Sequence, residues 1–494
     1  MLPSTTPLGP VVSGRLRPRG DPPPISEEEV GDTYKEYVSP YPAVLVIRHD
    51  SLYNIYMGRK AILAAAMSVI FLSGCETQES LTGKRIKQVE KGLLRAVTIK
   101  GQKPEKLALS ARMPFYRVPG LSLAVMDRHE LEWAKAYGVL DARTQEPATT
   151  ETLFQAGALA RPLSAAAALI LVSQGRLDLD GPAHARLEKR EGPPDESAGQ
   201  ARVTLRELLT DDPEAGDAVL QHLLEDSAGK PFPALLSELV LGPLGMTRSA
   251  FKDAPSEGPP ASAASGYDRD GRPVQGGPLL DPAPAAAGLW TSPAELVSFA
   301  ADLMASAMDK GGRLLPPPAA RAMLTPQAGT RSFGLAIEGS GQDVRFHLRG
   351  RTAGFACTLD IYPYRGQGAV IMTNSANGLL LADEVLRALA EVYGWPDFKP
   401  VEKTLYRLDP SIYAGYVGRY EVTPEYALEV THEDYYLVIR PTGQAPTRFY
   451  VESQTFFFSV DPYIRIQFHT GEKGDVTGLT LWQQDFKQEA RKVG

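Results

Sequence analysis

The stretch FQAGALARPLSAAAALILVSQGRLDLDGP, Phe154 to Pro182, constrains the fold most. It reads as an apolar helix from Arg161 to Ser173, with Pro162 suited to the first turn and Gly175 to the C-cap. Such a helix needs a protein interior around it. At 494 residues the chain is long enough for two or three domains. It is 43% hydrophobic and 22% charged, ordinary values for a globular protein. The net charge of -7 offers no basic field, so no nucleic-acid partner is expected. Two cysteines, Cys75 and Cys357, exclude a disulfide framework, although one bridge is arithmetically possible. The seven histidines show no metal-ligand spacing, so neither a metal nor a cofactor is expected.

Residues 57–75 read MGRKAILAAAMSVIFLSGC. Arg59 and Lys60 precede an apolar run of 12 residues, Ala61 to Leu72, too short to span a bilayer comfortably. Leu72-Ser73-Gly74-Cys75 resembles a bacterial lipobox, in which the cysteine is acylated and becomes the new N-terminus. This implies a lipoprotein signal over 57–75, lipidation at Cys75 and a tether over 76–85. A diacyl anchor with an amide-linked chain holds a protein durably to a membrane. Glu76, not aspartate, after the cysteine favours the outer membrane by the sorting rule for such proteins. Export signals begin chains, so translation is expected to start at Met57, with 1–56 an over-long gene reading. That segment, rich in proline and charge, is expected to have no stable fold. A cytoplasmic extension before a signal anchor is the rival reading.

Residues 86–113 show near-helical spacing at Ile86, Val89, Leu93, Leu94 and Val97. VPGLSLAVMDRHELEWAKAYGVLD alternates like a hairpin turning near Asp127-Arg128-His129. VTLRELLT and AVLQHLLEDSAG read as helices, and 252–287 as a long loop. Ser292 and Glu295 form a capping box before another helix. GFACTLDIYPYRGQGAVIMTN reads as two strands. The domain over 86–396 is followed by a linker, 397–412. From 413 to 494, short alternating strands dense in aromatics predict a small all-β barrel or sandwich.

Over about residues 105–395 the chain resembles the class C β-lactamase and penicillin-binding-protein-like serine hydrolases. VPGLSLAV, TLFQAG, QGRLDLDGP, VTLRELLT, LGPLGMTRSAF, AAAGLWTSPAEL and VIMTNSANG occur in the family's order. The resemblance implies an α+β fold: an antiparallel sheet flanked by helices, with an inserted helical lobe and the pocket between them. Many such proteins also carry a C-terminal β-barrel.

The family's chemistry uses three motifs, and all three are degenerate here. In S-x-x-K, serine attacks and lysine takes its proton. The register F-Q-x-G places Ala158 at the serine and Arg161 at the lysine. Alanine has no nucleophile, and a guanidinium titrates only above about pH 12. The Y-x-N register falls near Asp212-Pro213-Glu214, and the connection after Thr210 is short. The K-T-G or H-x-G register falls on Leu348-Arg349-Gly350. His347 is one residue off, which on a strand turns it to the other face unless a bulge intervenes. Four replacements are conceivable: Ser227 with Lys230, His469-Thr470-Gly471, Ser164, and Cys357 with His347. Each has a simpler structural reading as a turn, a hairpin, a packed helix hydroxyl or a small buried hydrophobe.

An arginine in the old catalytic floor needs a partner. Arg161 is expected to pair with Asp211, Asp212 or Glu214, or with a backbone carbonyl, and so to plug the pocket. The alternative is that Arg161, Arg349 and Arg351, with the helix N-terminus, hold an anion. The main expectation is a membrane-anchored, non-catalytic relative of serine hydrolases that binds or scaffolds an envelope protein or peptidoglycan-related ligand. An active β-lactamase, esterase or D-amino-acid peptidase using other residues is the second. A working barrel on an inert platform is the third.

Overall fold

A computed structural model describes residues 81–183, 203–210, 214–252, 260, 262–275, 288–472, 474–483 and 486–493. The expectations for 1–56, for the export segment with Cys75, and for 76–80 lie outside the described residues. So does most of the loop 252–287. Among the described residues, no helix is long and apolar enough to cross a membrane.

The chain opens with helix α1 over 81–90, then strand β1, Val97–Ile99, and helix α2, Leu109–Phe115. The single helix expected over 86–113 is therefore two helices with a strand between them. Gly101, at φ +82°, and Pro104 interrupt a spacing that looked continuous. Residues 81–85, expected as tether, are helical, and Arg85 Nη1 sits 2.9 Å from Glu132 Oε1.

Next come β2, Gly120–Asp127, and β3, Glu130–Asp141. Arg128 and His129 join them, both at positive φ, the two-residue turn that matches strand twist. Strands β4, Glu146–Pro147, and β5, Phe154–Gln155, lead to helix α3, Arg161–Ser173. Helices α4, Leu205–Thr210, α5, Glu214–Ala228, and α6, Phe232–Leu236, follow. Strands β6, Ala250–Phe251, and β7, Leu289–Thr291, pair with each other, and β7 also pairs with β5. Helix α7, Pro293–Ala307, is capped by Ser292, whose side chain accepts from the Glu295 N–H. The Glu295 carboxylate does not return the favour; it accepts from Ser249 Oγ and the Arg248 N–H instead. Helix α8 is Pro317–Met323.

The main sheet is completed by β8, Ala336–Glu338, β9, Arg345–Thr352, β10, Phe355–Tyr362, and β11, Gln367–Thr373. Its order is β4-β3-β2-β11-β10-β9-β8, antiparallel throughout. Helix α9, Gly378–Tyr393, ends at Gly394 in the left-handed conformation. Side-chain alternation splits the core into two layers. Ala124, Met126, Val370 and Met372 face α3 and the helical lobe. Leu121, Leu123, Val125 and Ile371 face α1, α2 and α9.

The stretch 397–412, read as a linker, contains strand β12, Val401–Lys403, which pairs in parallel with β1. It also begins helix α10, Pro410–Tyr416, capped by Asp409. Strands β13 to β20, from Gly418–Thr423 to Phe486–Val493, form a closed barrel, with β20 pairing back to β13. Tyr413 and Tyr416 of α10 belong to its core beside Phe457. Closure removes the open strand edges that a two-sheet sandwich would keep.

Candidate functional site

Strand β5 runs into a tight 3-10 turn, Gly157–Ala160, that continues directly into α3. Gly157 has φ +52°, and a Cβ there would lie 2.8 Å from the Arg351 nitrogen. Only glycine lets this turn lie against β9. Thr352 Oγ1 donates to Gln155 Oε1 at 2.9 Å, fastening the same two segments. Ala158 sits half-buried in the turn and presents a methyl group at the position that the sequence resemblance assigns to the attacking hydroxyl.

Arg161 is the first residue of α3, where the helix dipole disfavours a cation. A carboxylate compensates: Arg161 Nη2 lies 2.6 Å from Asp217 Oδ2. Their side chains are only 17% and 9% exposed, so this is a largely desolvated pair. Asp217 was not among the acids expected. It lies three residues after Glu214 on α5, on the same side of that helix. Asp211, Asp212 and the Glu214 side chain lie outside the described residues. Asp217→Ala, which removes this carboxylate from the guanidinium, is expected to cost about 1–3 kcal/mol by urea unfolding. Arg161→Leu with Asp217→Leu should recover most of that loss. A double-variant loss equal to the sum of the losses in Arg161→Leu and Asp217→Leu alone would show that the pair is not coupled.

Strand β9 divides its side chains between two faces. Leu348 and Gly350 point toward α3: Leu348 lines a cavity with Arg161, and Gly350 packs on Ala156. His347, Arg349 and Arg351 alternate to the opposite face. His347 opposes Asp360, with Nε2 3.5 Å from Glu338 Oε1. Burial, and then Arg345, hold its imidazole below the ordinary histidine range. Arg349 Nη2 is 2.7 Å from Asp383 Oδ1 on α9. Arg161 and Arg349 therefore do not converge, which corrects the three-arginine anion site. The structure places Arg161 at the pocket and turns Arg349 away, while His347 lies on the opposite face of the strand as its one-residue offset predicts.

The other nucleophile candidates are tied to the scaffold. Cys357 is a free, buried thiol bonded to the Ala156 carbonyl at 2.9 Å, and burial pushes it up to about 12. It faces the α3 layer while His347 faces the α9 layer, so the two form no dyad. Ser164 Oγ donates to the Ala160 carbonyl at 3.2 Å. Ser227 lies at the end of α5, and Lys230 pairs with Glu238. His469 bonds Thr480 Oγ1 at 2.7 Å between two barrel strands.

The cavity beside Arg161 has a volume of about 220 Å³ and is walled by Leu208, Thr210, Asp217, Arg331, Ser332 and Leu348. Sequence reasoning missed Asp217 and Arg331. Thr210 and Ser332 donate their hydroxyls to the carbonyls of Arg206 and Met323. The cavity's cations are guanidiniums, which hold their protons too tightly to act as bases. Its one carboxylate among the described residues, Asp217, is engaged by Arg161. Among the described residues, no group of three or more His, Cys, Asp or Glu side chains could hold a metal.

Comparison with known proteins agrees with this geometry. The family model described as Beta-lactamase matches residues 107–210 and 214–393. A second, described as Domain of unknown function (DUF3471), matches 404–493. A Beta-lactamase of Pseudomonas fluorescens is 27% identical over 217 residues, covering 37% of this chain and 59% of that protein. This chain thus spans less than two thirds of that relative's length. The crystal structure of SurE is similar with a TM-score of 0.51 and 23% identity, over 77% of this chain and 97% of that one. The octameric penicillin-binding protein homologue from Pyrococcus abyssi is similar with a TM-score of 0.51 and 18% identity, over 77% and 98%. These two likenesses concern the fold. With its family model matched over more than half its length, the chain belongs to the β-lactamase family.

Proposed function

We propose that this protein is an envelope lipoprotein that keeps the β-lactamase fold without acyl-enzyme chemistry, and that it works by binding or scaffolding. One observation carries the reading: a methyl group at 158 stands in the turn before α3, and one helical turn on a guanidinium is locked to Asp217. Acyl transfer needs an attacking atom and a base within reach of its proton. Among the described residues, the side chains lining the cavity at Arg161 offer no serine, cysteine or lysine poised for that step. The partner would be an envelope protein or a peptidoglycan-related ligand, and Cys75 would anchor the chain in the membrane.

The full-length protein, incubated with a fluorescent penicillin and a chromogenic ester, should show no covalent label and no turnover above a heat-killed control. Loss of a nucleophile removes several powers of ten in rate, so the outcome separates cleanly. Label or turnover that survives Ser164→Ala and Ser227→Ala overturns the proposal, and peptide mapping would then locate the nucleophile. For the anchor, labelled palmitate should enter the protein expressed in a bacterial host and be lost in Cys75→Ala. Equal incorporation in both would remove the lipoprotein part of the reading.

A further inference from the structure

On the opposite face of the sheet from Arg161, a cavity of about 420 Å³ lies between α9, the turn that follows it, and the segment around Leu94. That volume falls in the ordinary range for small-ligand sites, about 300–1,000 Å³. Its walls include Trp395 and Phe398, and Arg387, Lys399 and Lys103 bring cations to it. Its one carboxylate, Glu391, is taken by Lys106 at 2.5 Å.

One buried donor in this cavity lacks an acceptor among the described residues, and a second is weakly held. Among the described residues, Arg387 makes one long hydrogen bond, Nη1 to the Leu94 carbonyl at 3.4 Å. The acids beside it on α9 are committed elsewhere: Asp383 to Arg349 at 2.7 Å and Glu384 to Arg112 at 2.7 Å. Burial accordingly pulls the Arg387 guanidinium below the ordinary arginine range. Trp395 is 2% exposed, and its indole N–H has no acceptor among the described residues. Buried donors are nearly always satisfied in native proteins. Lys399 has no ion pair among the described residues. Phe398 holds φ +60°, a strained conformation for an aromatic residue and one that concentrates at ligand sites.

We infer that this cavity binds a small organic anion, a carboxylate on an apolar body, with Arg387 and the Trp395 N–H donating to the head group. A guanidinium fork matches carboxylate geometry, and the aromatic walls suit the rest of the ligand. The inference does not depend on whether the cleft at Arg161 has lost its chemistry.

Calorimetry with the full chain tests it, using octanoate as the probe and octanol, octylammonium and inorganic phosphate as comparisons. Octanoate should bind and perturb tryptophan fluorescence, and the three comparisons should bind far more weakly. Arg387→Met should weaken octanoate by about tenfold or more. It should keep or raise the melting temperature, because it removes an under-compensated buried charge. Loss of binding then does not report unfolding. Should that variant misfold, the milder Lys399→Gln should still weaken octanoate by a few-fold with the fold intact. The inference fails if octanol or phosphate binds as tightly as octanoate, if none of them binds, or if a folded Arg387→Met or Lys399→Gln binds like the parent.

Discussion

Arg112→Ala is expected to cost about 3–5 kcal/mol of stability, because it leaves the buried Glu384 carboxylate without its counter-charge, while Asp461 keeps Arg95 at 2.9 Å. Arg112 is 5% exposed and Glu384 is 2% exposed. The guanidinium grips Glu384 through two bonds, Nε at 2.8 Å and Nη2 at 2.7 Å. It also reaches Asp461 in the barrel, Nη1 at 2.9 Å and Nη2 at 2.6 Å. Tyr116 completes the cluster, donating to Glu384 at 2.8 Å while accepting from Arg112. One side chain thus ties α2, α9 and the β-barrel together. Removing it should do two things in a urea titration. The midpoint should fall, and the barrel should unfold separately from the larger domain, splitting a single transition. Asp461→Ala should cost less, since Asp461 is 21% exposed and its partner keeps Glu384. A loss below about 1 kcal/mol in Arg112→Ala would mean that the cluster is hydrated and contributes little.

This cluster was invisible in the sequence, and the reason is general. Arg112, Glu384 and Asp461 are 272 and 349 positions apart by their contacts, and no local pattern links such residues. What could be read was local or periodic. The α3 boundaries, the turn at Arg128-His129 and the β10–β11 pair all follow from spacing and turn chemistry. The separation of Leu348 and Gly350 from His347 follows from strand alternation alone. The single helix expected over 86–113 is broken because Gly101 and Pro104 interrupt the apolar spacing. Two of the three arginines proposed to share an anion fell on opposite sheet faces for the same alternation that placed Leu348 correctly. Asp217 lies one turn beyond the expected tyrosine register on α5, where no sequence motif points to an acid. Sequence motifs place residues on elements. They do not say which helix face another element will meet.

Gly350→Ala is the second large effect, expected to cost about 3 kcal/mol by overpacking. A Cβ at 350 would lie 2.0 Å from the Ala156 oxygen and 2.7 Å from Cys357 Sγ. The first contact is with backbone, which has no rotamer to yield. Relief requires β9 to move off the turn before α3, yet Gly157 is held against Arg351 by the same close approach from the other side. Thermal unfolding should show the loss, and Cys357, now displaced from the Ala156 carbonyl, should become reactive to a thiol reagent in the folded protein. If Gly350→Ala melts with the parent and its thiol stays protected, β9 does not lie on the turn as described. The contact also bears on what the cleft has become. The glycines that shape its wall are present at 157 and 350, while the positions that would act on a substrate are Ala158, Arg161 and Leu348. Backbone approach depends on the glycines whether or not a reaction follows, because they set how the sheet and α3 pack. On the proposed reading, a hydroxyl, an amine and a lysine or histidine on β9 would serve chemistry, and at the positions the motif register assigns to them this chain carries a methyl, an ion-paired guanidinium and an isobutyl side chain.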